Sequence, residues 1–277
     1  MNRNLIFSRR ADNGILSSDD IKQRAPSVFA EDKDARLTKR YHELHTADLL
    51  PVLADHGYFP VQAAQKRKQA GQPHHAAHML AFAKDAGEGG LRSEIIAYNS
   101  HDGTSGVKLF AGAYRFICSN GIIAGEGFSA NVRHTHKAMA GFEATLQSII
   151  ASLPKMMDTI EALRHRRMEF DEARALARKA VELRWNYIDN VYVPTDTAPG
   201  TYATPFTVKD ALCCQRGEDA AYDAWTVLNR IQENVVRGNV MVQSITQKGR
   251  GERKARPIQS IQEHVRVNQQ LFDMVAV

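Results

Sequence analysis

The sequence predicts an α+β fold, in which a small antiparallel sheet packs against a long helix and a helical carboxyl-terminal region follows. Between about Tyr58 and His136 the apolar residues come in short runs bounded by Gly, Asn, Asp or Ser, as strands and their turns require. From about Ala138 they recur at intervals of three and four, the period of one buried helix face. Helical periodicity in later segments fills most of the remainder.

Taken in order, residues 1–45 read as a polar arm of mixed charge with scattered apolar anchors such as Leu5, Phe7, Val28 and Phe29. A strand-rich core spans 46–137. It opens with a helix capped by Thr46, carrying Leu49, Leu50 and Leu53 on one face and broken at His56-Gly57. A strand follows from about Tyr58 to Ala64, and "AAHMLAFAKD" and "LRSEIIAYNS" supply two more. The polar "SHDGTSG" is a hairpin-type connection into "VKLFAGAYRFICSNG", which fits a strand or a helix, and Gly127 to His136 alternates as a closing strand.

Residues 138–277 read as a helical region that forms one compact domain with the strand core. Phe142, Leu146, Ile149, Leu153, Met157, Ile160 and Leu163 mark a long helix, with a kink expected at Pro154. A second helix runs from about Phe170 to Trp185, and "DNVYVPTDTAPGTYATP" reads as a loop. A third helix ends at Gly238, and a last one carries Ile261, Val265, Asn268 and Leu271. Between these two, "QKGRGERKARP", residues 247–257, reads as a basic loop.

Composition narrows the function. With 277 residues, 43% hydrophobic and 24% charged, the chain has the makings of one sizeable core or two small ones. No apolar run reaches the roughly 18 residues of a membrane helix, and "MNRNLIFSRRADNG" lacks a signal-peptide core, so a cytoplasmic protein without a membrane partner is expected. Cys118 and the adjacent Cys213 and Cys214 make neither a disulfide framework nor a C-x-x-C zinc set.

The basic loop holds five Lys or Arg against one Glu, supplying four of the five net positive charges. Lys248, Arg250, Arg253, Lys254 and Arg256 on a Gly-interrupted backbone suit a phosphate chain, while a solvated charged loop is the plainer reading. Lys66, Arg67 and Lys68 form a second patch, and Arg164, His165, Arg166 and Arg167 a third. Tyr98, Phe110, Tyr114, Phe116 and Phe128 could stack on bases but fit core positions better. His74, His75 and His78, and the pair His134 and His136, join no metal-ligand pattern. No nucleophile elbow, phosphate loop or dinucleotide fingerprint is present, so no enzyme, cofactor or metal is expected. In the third helix, Asn229, Glu233 and Arg237 share a face, either as a surface ion pair or as a polar network that anchors the basic loop.

"GAYRFICSNGI", "DAWTVLNRIQENVVRG" and a basic segment leading to an Asn-bearing last helix resemble the uncharacterised phage- and plasmid-type family called domain of unknown function 932. The resemblance spans about residues 40–272 and is carried by Arg115, Cys118, Asn120 and Gly121, then by Trp225, Asn229, Gln232, Glu233 and Gly238. It implies mobile-element biology with nucleic acid as partner. A looser likeness, in element order alone, is to single-strand annealing proteins of the Red-beta and RecT kind, which form rings or filaments on DNA. The expectation is a non-enzymatic, homo-oligomeric protein that binds single-stranded DNA and promotes annealing in recombination or replication. Lys248, Arg250, Arg253, Lys254 and Arg256 would grip phosphates, with Lys66, Arg67 and Arg115 as secondary contacts. The alternative is a module that binds and inhibits a host defence or replication protein.

Overall fold

A computed structural model describes residues 14–31, 34, 36–37, 41–66, 75–84, 90–103, 105–115, 120–124, 126–185, 187–188, 191–192, 202–205, 208–246 and 249–276. It is an α+β protein with a small antiparallel sheet and a helical carboxyl-terminal region. The chain divides into two compact units, residues 1–157 with 259–261 and residues 158–258 with 262–277. The boundary falls inside the long helix, whereas the sequence reading set its division ahead of that helix. Among the described residues no helix is long and apolar enough to cross a membrane.

In the first unit, α1 (Ser18–Arg24) starts on a capping box: the Ser17 hydroxyl accepts from the Asp20 amide, and the Asp20 carboxylate accepts from the Ser17 amide. Its Ile21 is buried, and Leu16 donates its amide to Pro60 at 2.7 Å. Part of the expected polar arm is therefore built into the core. Next comes α2 (Thr46–Asp55), whose N-cap is His45 rather than Thr46. Thr46 is buried and its hydroxyl is committed elsewhere, as described below. The helix ends as expected at His56-Gly57, where Gly57 takes a φ of +78°.

The sheet is a meander of β1 (Phe59–Gln65), β2 (His78–Ala83), β3 (Leu91–Asn99) and β4 (Val107–Arg115), all antiparallel. The far edge of β4 is shared: β5 (Asn120–Ile123) pairs with its last half and β6 (Ser129–Val132) with its first. The ambiguous segment is thus a strand. β2 is buried at every residue and β3 at all but one, so this part of the sheet is covered on both faces. That explains why its strands read as continuous apolar runs.

The long helix α3 (Ala138–His165) continues through Pro154. Its buried stripe is Phe142, Leu146, Ile149, Leu153, Met156, Ile160 and Leu163, so Met156 replaces Met157. Both spacings satisfy the helical period, and packing selects one. Each fully buried Leu or Phe contributes about 2 kcal/mol relative to exposure.

In the second unit, α4 (Phe170–Trp185) has the expected bounds and buries Ala173, Leu176, Ala177, Ala180 and Val181. The expected loop instead holds β8 (Val191–Tyr192), which pairs with β7 (Tyr187–Ile188) just ahead of it, and a strand, β9 (Tyr202–Pro205). A single turn, α5 (Val208–Ala211), leads to α6 (Ala224–Ile231), capped by Asp223 through the Thr226 amide at 2.8 Å. Residues Gln232–Val236 continue α6 as a π-turn. β10 (Met241–Thr246) and β11 (Gly249–Lys254) form a hairpin, and α7 (Ile261–Val275) closes the chain with Ile261, Val265, Asn268 and Leu271 buried.

Candidate nucleic-acid interface

The basic segment is a strand, which corrects the loop expectation. β10 is rich in Val, Ile and Thr and pairs with β9 on one side, leaving its other edge to be completed. β11 completes it in register from Met241↔Lys254 to Thr246↔Gly249. Backbone hydrogen bonds, not apolar side chains, recruit the charged residues into the sheet, where β11 is the edge of the order β11-β10-β9.

The hairpin's base is fixed to the π-turn. Ala255 donates to the Val240 carbonyl at 2.8 Å and Ile258 to that of Val236 at 3.0 Å. Gly238, at φ +81°, lies against the backbone, where an added Cβ would stand 2.5 Å from the Ala255 oxygen. Val240, Val242 and Ala255 form a small buried cluster against which Trp185 packs. Of the two readings of Glu233, the surface pair with Arg237 is not what forms: the carboxylate is buried and paired with Arg216, with Asn239 donating to it at 3.2 Å. Gln232 donates to Asn268 at 2.6 Å, tying the π-turn to α7.

Lys254 and Arg256 are exposed and Arg253 is half-buried. Sequence reasoning missed the residue that backs them. Arg184 donates to the Arg256 carbonyl, and its guanidinium lies over the Trp185 ring with 4.6 Å to the centroid. Burial, and after it the neighbouring Arg253, push the Arg184 pKa down to about 10, against the opposing pull of Glu263. Its Nη1 is buried without a protein partner among the described residues. Arg266 flanks this corner, donating to the Leu183 carbonyl at 2.7 Å and paired with Glu263. A basic residue ahead of a Trp, 70 residues from the charge run, gives no signal that periodicity can detect.

Lys248, Arg67 and Phe116 lie outside the described residues, and Arg250 is placed only by its register opposite Ile245. Lys66 and Arg115 belong to the first unit. There they stand at opposite ends of the sheet: Lys66 follows Gln65, which pairs with His78, while Arg115 pairs with Leu91 and Asn120. The eight residues from Lys108 to Arg115 alone span on the order of 25 Å. Tyr98, Phe110 and Tyr114 are buried in the sheet. The third basic patch is neutralised locally, with Arg164 and His165 on Glu161, Arg166 on Glu172 and Arg167 on Glu169.

His78 and His134 belong to a hydrogen-bonded chain that runs through buried Thr46 and Asn99. His78 Nδ1 faces the Ala76 carbonyl at 2.9 Å, so it carries the proton and Nε2 accepts from the Thr46 hydroxyl at 2.7 Å. Thr46 in turn accepts from the Asn99 amide at 2.9 Å. His134 accepts at Nδ1 from the Leu44 amide and donates from Nε2 to Asn99 Oδ1 at 3.1 Å. Each link requires the neutral form. Desolvation holds His78 down to about 4 and His101, whose ring lies 5.2 Å away, down to about 3. Among the described residues no three His, Cys, Asp or Glu side chains are placed to hold a metal ion.

The chain is 29% identical over 262 residues to the UPF0380 protein YafZ and 28% identical over 262 residues to the UPF0380 protein YfjQ, both from Escherichia coli (strain K12). Each match covers 94% of this chain and 90% of the relative. No solved structure matches. Residues 35–272 match the family described as Domain of unknown function (DUF932), and the protein belongs to that family.

Proposed function

We propose that this protein binds nucleic acid, single-stranded DNA foremost, through the edge of the β10–β11 hairpin and the Arg184–Trp185 corner behind it. The observation that carries the reading is Arg184: a desolvated guanidinium beside Arg253, with a buried donor that no group among the described residues accepts. Like charges held together in a partly dry site are destabilising alone and are relieved by a phosphate. Exposed Lys254 and Arg256 extend the positive surface along the strand edge, and the Trp185 ring brings the aromatic component common in single-strand binders. Binding of this kind is weakly dependent on sequence and steeply dependent on salt. Annealing of complementary strands is the activity this binding would serve.

The test is fluorescence anisotropy with labelled single- and double-stranded DNA over a salt series, for the native chain and for a variant carrying Arg250→Ala, Arg253→Ala, Lys254→Ala and Arg256→Ala. The native chain is expected to prefer the single strand. The variant's slope of log affinity against log salt should be shallower by about 3 if all four residues contact phosphates. Absence of binding by the native chain overturns the reading and assigns the hairpin to an acidic protein surface, as in a module that engages a host protein.

A further inference from the structure

We infer that Cys213 and Cys214 form a binding site for a soft monovalent cation, copper(I) in chemical class, held between two thiolates. Both thiols are exposed and unbridged. The backbone that carries them is fixed from both sides by the π-turn. Buried Asn234 donates to the carbonyls of Ala211 at 3.1 Å and Cys213 at 2.7 Å, and accepts from Gln215 at 3.1 Å. Two residues on, Arg216 is paired with Glu233, and the Cys214 thiol donates to the Arg216 carbonyl at 2.8 Å. The peptide is thus held by its neighbours while the thiols face solvent.

Distances decide what such a pair can take. Adjacent Cα atoms across a trans peptide are about 3.8 Å apart, whereas disulfides span about 4.4 to 6.8 Å, so a direct sulfur–sulfur bond would be strained. An ion between the sulfurs, with metal–sulfur bonds of roughly 2.3 Å, allows them to stand more than 4 Å apart, within reach of side-chain rotation. Structural zinc needs four ligands, and no third His, Cys, Asp or Glu is placed to share an ion here among the described residues. Copper(I) prefers thiolates and is content with two. Two S–H bonds break, two Cu–S bonds form, two protons leave and no oxidation state changes; the product carries one negative charge beside Arg216. Affinity accordingly rises with pH.

The experiment is anaerobic titration of the reduced full-length chain with copper(I) in competition with bicinchoninate, read by the chelator's absorbance and by native mass spectrometry. The native chain and Cys118→Ser should each hold one copper(I), and both Cys213→Ser and Cys214→Ser should lose it. Copper(I) should raise the melting temperature of the native chain but not of the last two variants. Circular dichroism establishes that the serine variants remain folded. Retention of copper(I) by either exposed-thiol variant, its loss from Cys118→Ser, or zinc(II) binding at equal stoichiometry would overturn the assignment.

Discussion

The two units of this protein handle polar groups in opposite ways. The first buries His78, Asn99 and Thr46 as a chain of neutral hydrogen bonds, and a fully buried ion pair, Arg92 with Glu94 at 2.9 Å, is sealed within the sheet. The second uses a partly exposed pair, Arg216 with Glu233, to brace the π-turn, and it leaves cations at the hairpin edge. Neutral networks survive desolvation because each donor has an acceptor, whereas a cation near the surface keeps its charge available to a partner. The contrast is between a neutral, buried network in one unit and cations held near the surface in the other.

The strongest way to break the contrast is to expose the first unit's dependence on pairing. Glu94→Ala leaves Arg92 buried without its carboxylate and should cost about 3 to 5 kcal/mol in chemical denaturation. The double change Arg92→Met with Glu94→Leu should cost far less, because no charge is left uncompensated. Equal losses in both proteins would show that packing, not charge, governs this site.

Acid should act next, and on the same unit. Folded His78 and His101 stay neutral to about 4 and 3, while the unfolded chain takes up protons near 6.5. The unfolded state therefore binds more protons below 6.5, so the stabilisation is complete above that pH and is lost as pH falls toward 4. The loss should be on the order of 3 kcal/mol for His78 alone. Far-ultraviolet circular dichroism melts across this window measure it, and a stability flat from pH 7 to 4 would contradict the neutral network.

The smallest of these effects sharpens the picture of the second unit. Gly238→Ala places a side chain on a left-handed backbone against Ala255, and should cost about 1 to 3 kcal/mol. It should also loosen the hairpin base, seen as faster amide exchange at Ala255 and Ile258. Unchanged exchange there would mean that the π-turn does not hold the hairpin.

Much of this was legible in the residues. The α3 stripe, α4 to its ends and the strands β1, β2, β3 and β6 follow from periodicity, because burial on one helix face or in a covered sheet imposes its own spacing; β4 was left open between strand and helix, and β5 gave no strand signal. Thr46 was misread as a cap because a hydroxyl before a helix looks the same whether it bonds the backbone or a histidine 32 residues away. The hairpin was misread as a loop because "GRGERK" has no apolar alternation; its strand is dictated by the open edge of β10. The plainer of the two readings of Glu233 paired it four residues along its helix, but the π-turn takes those residues off the regular α-helical repeat and Arg216 meets the carboxylate instead.

By itself, then, the sequence determined the α+β class, most helix and strand positions, the family and the existence of a concentrated positive segment, since all of these depend on local period, composition or motif. Only the tertiary structure decided where the charge is presented, that Arg184 and Trp185 stand behind it, and that Lys66 and Arg115 lie far apart at opposite sheet ends. Those outcomes depend on contacts between residues distant along the chain, which strand pairing and desolvation select after the local elements have formed.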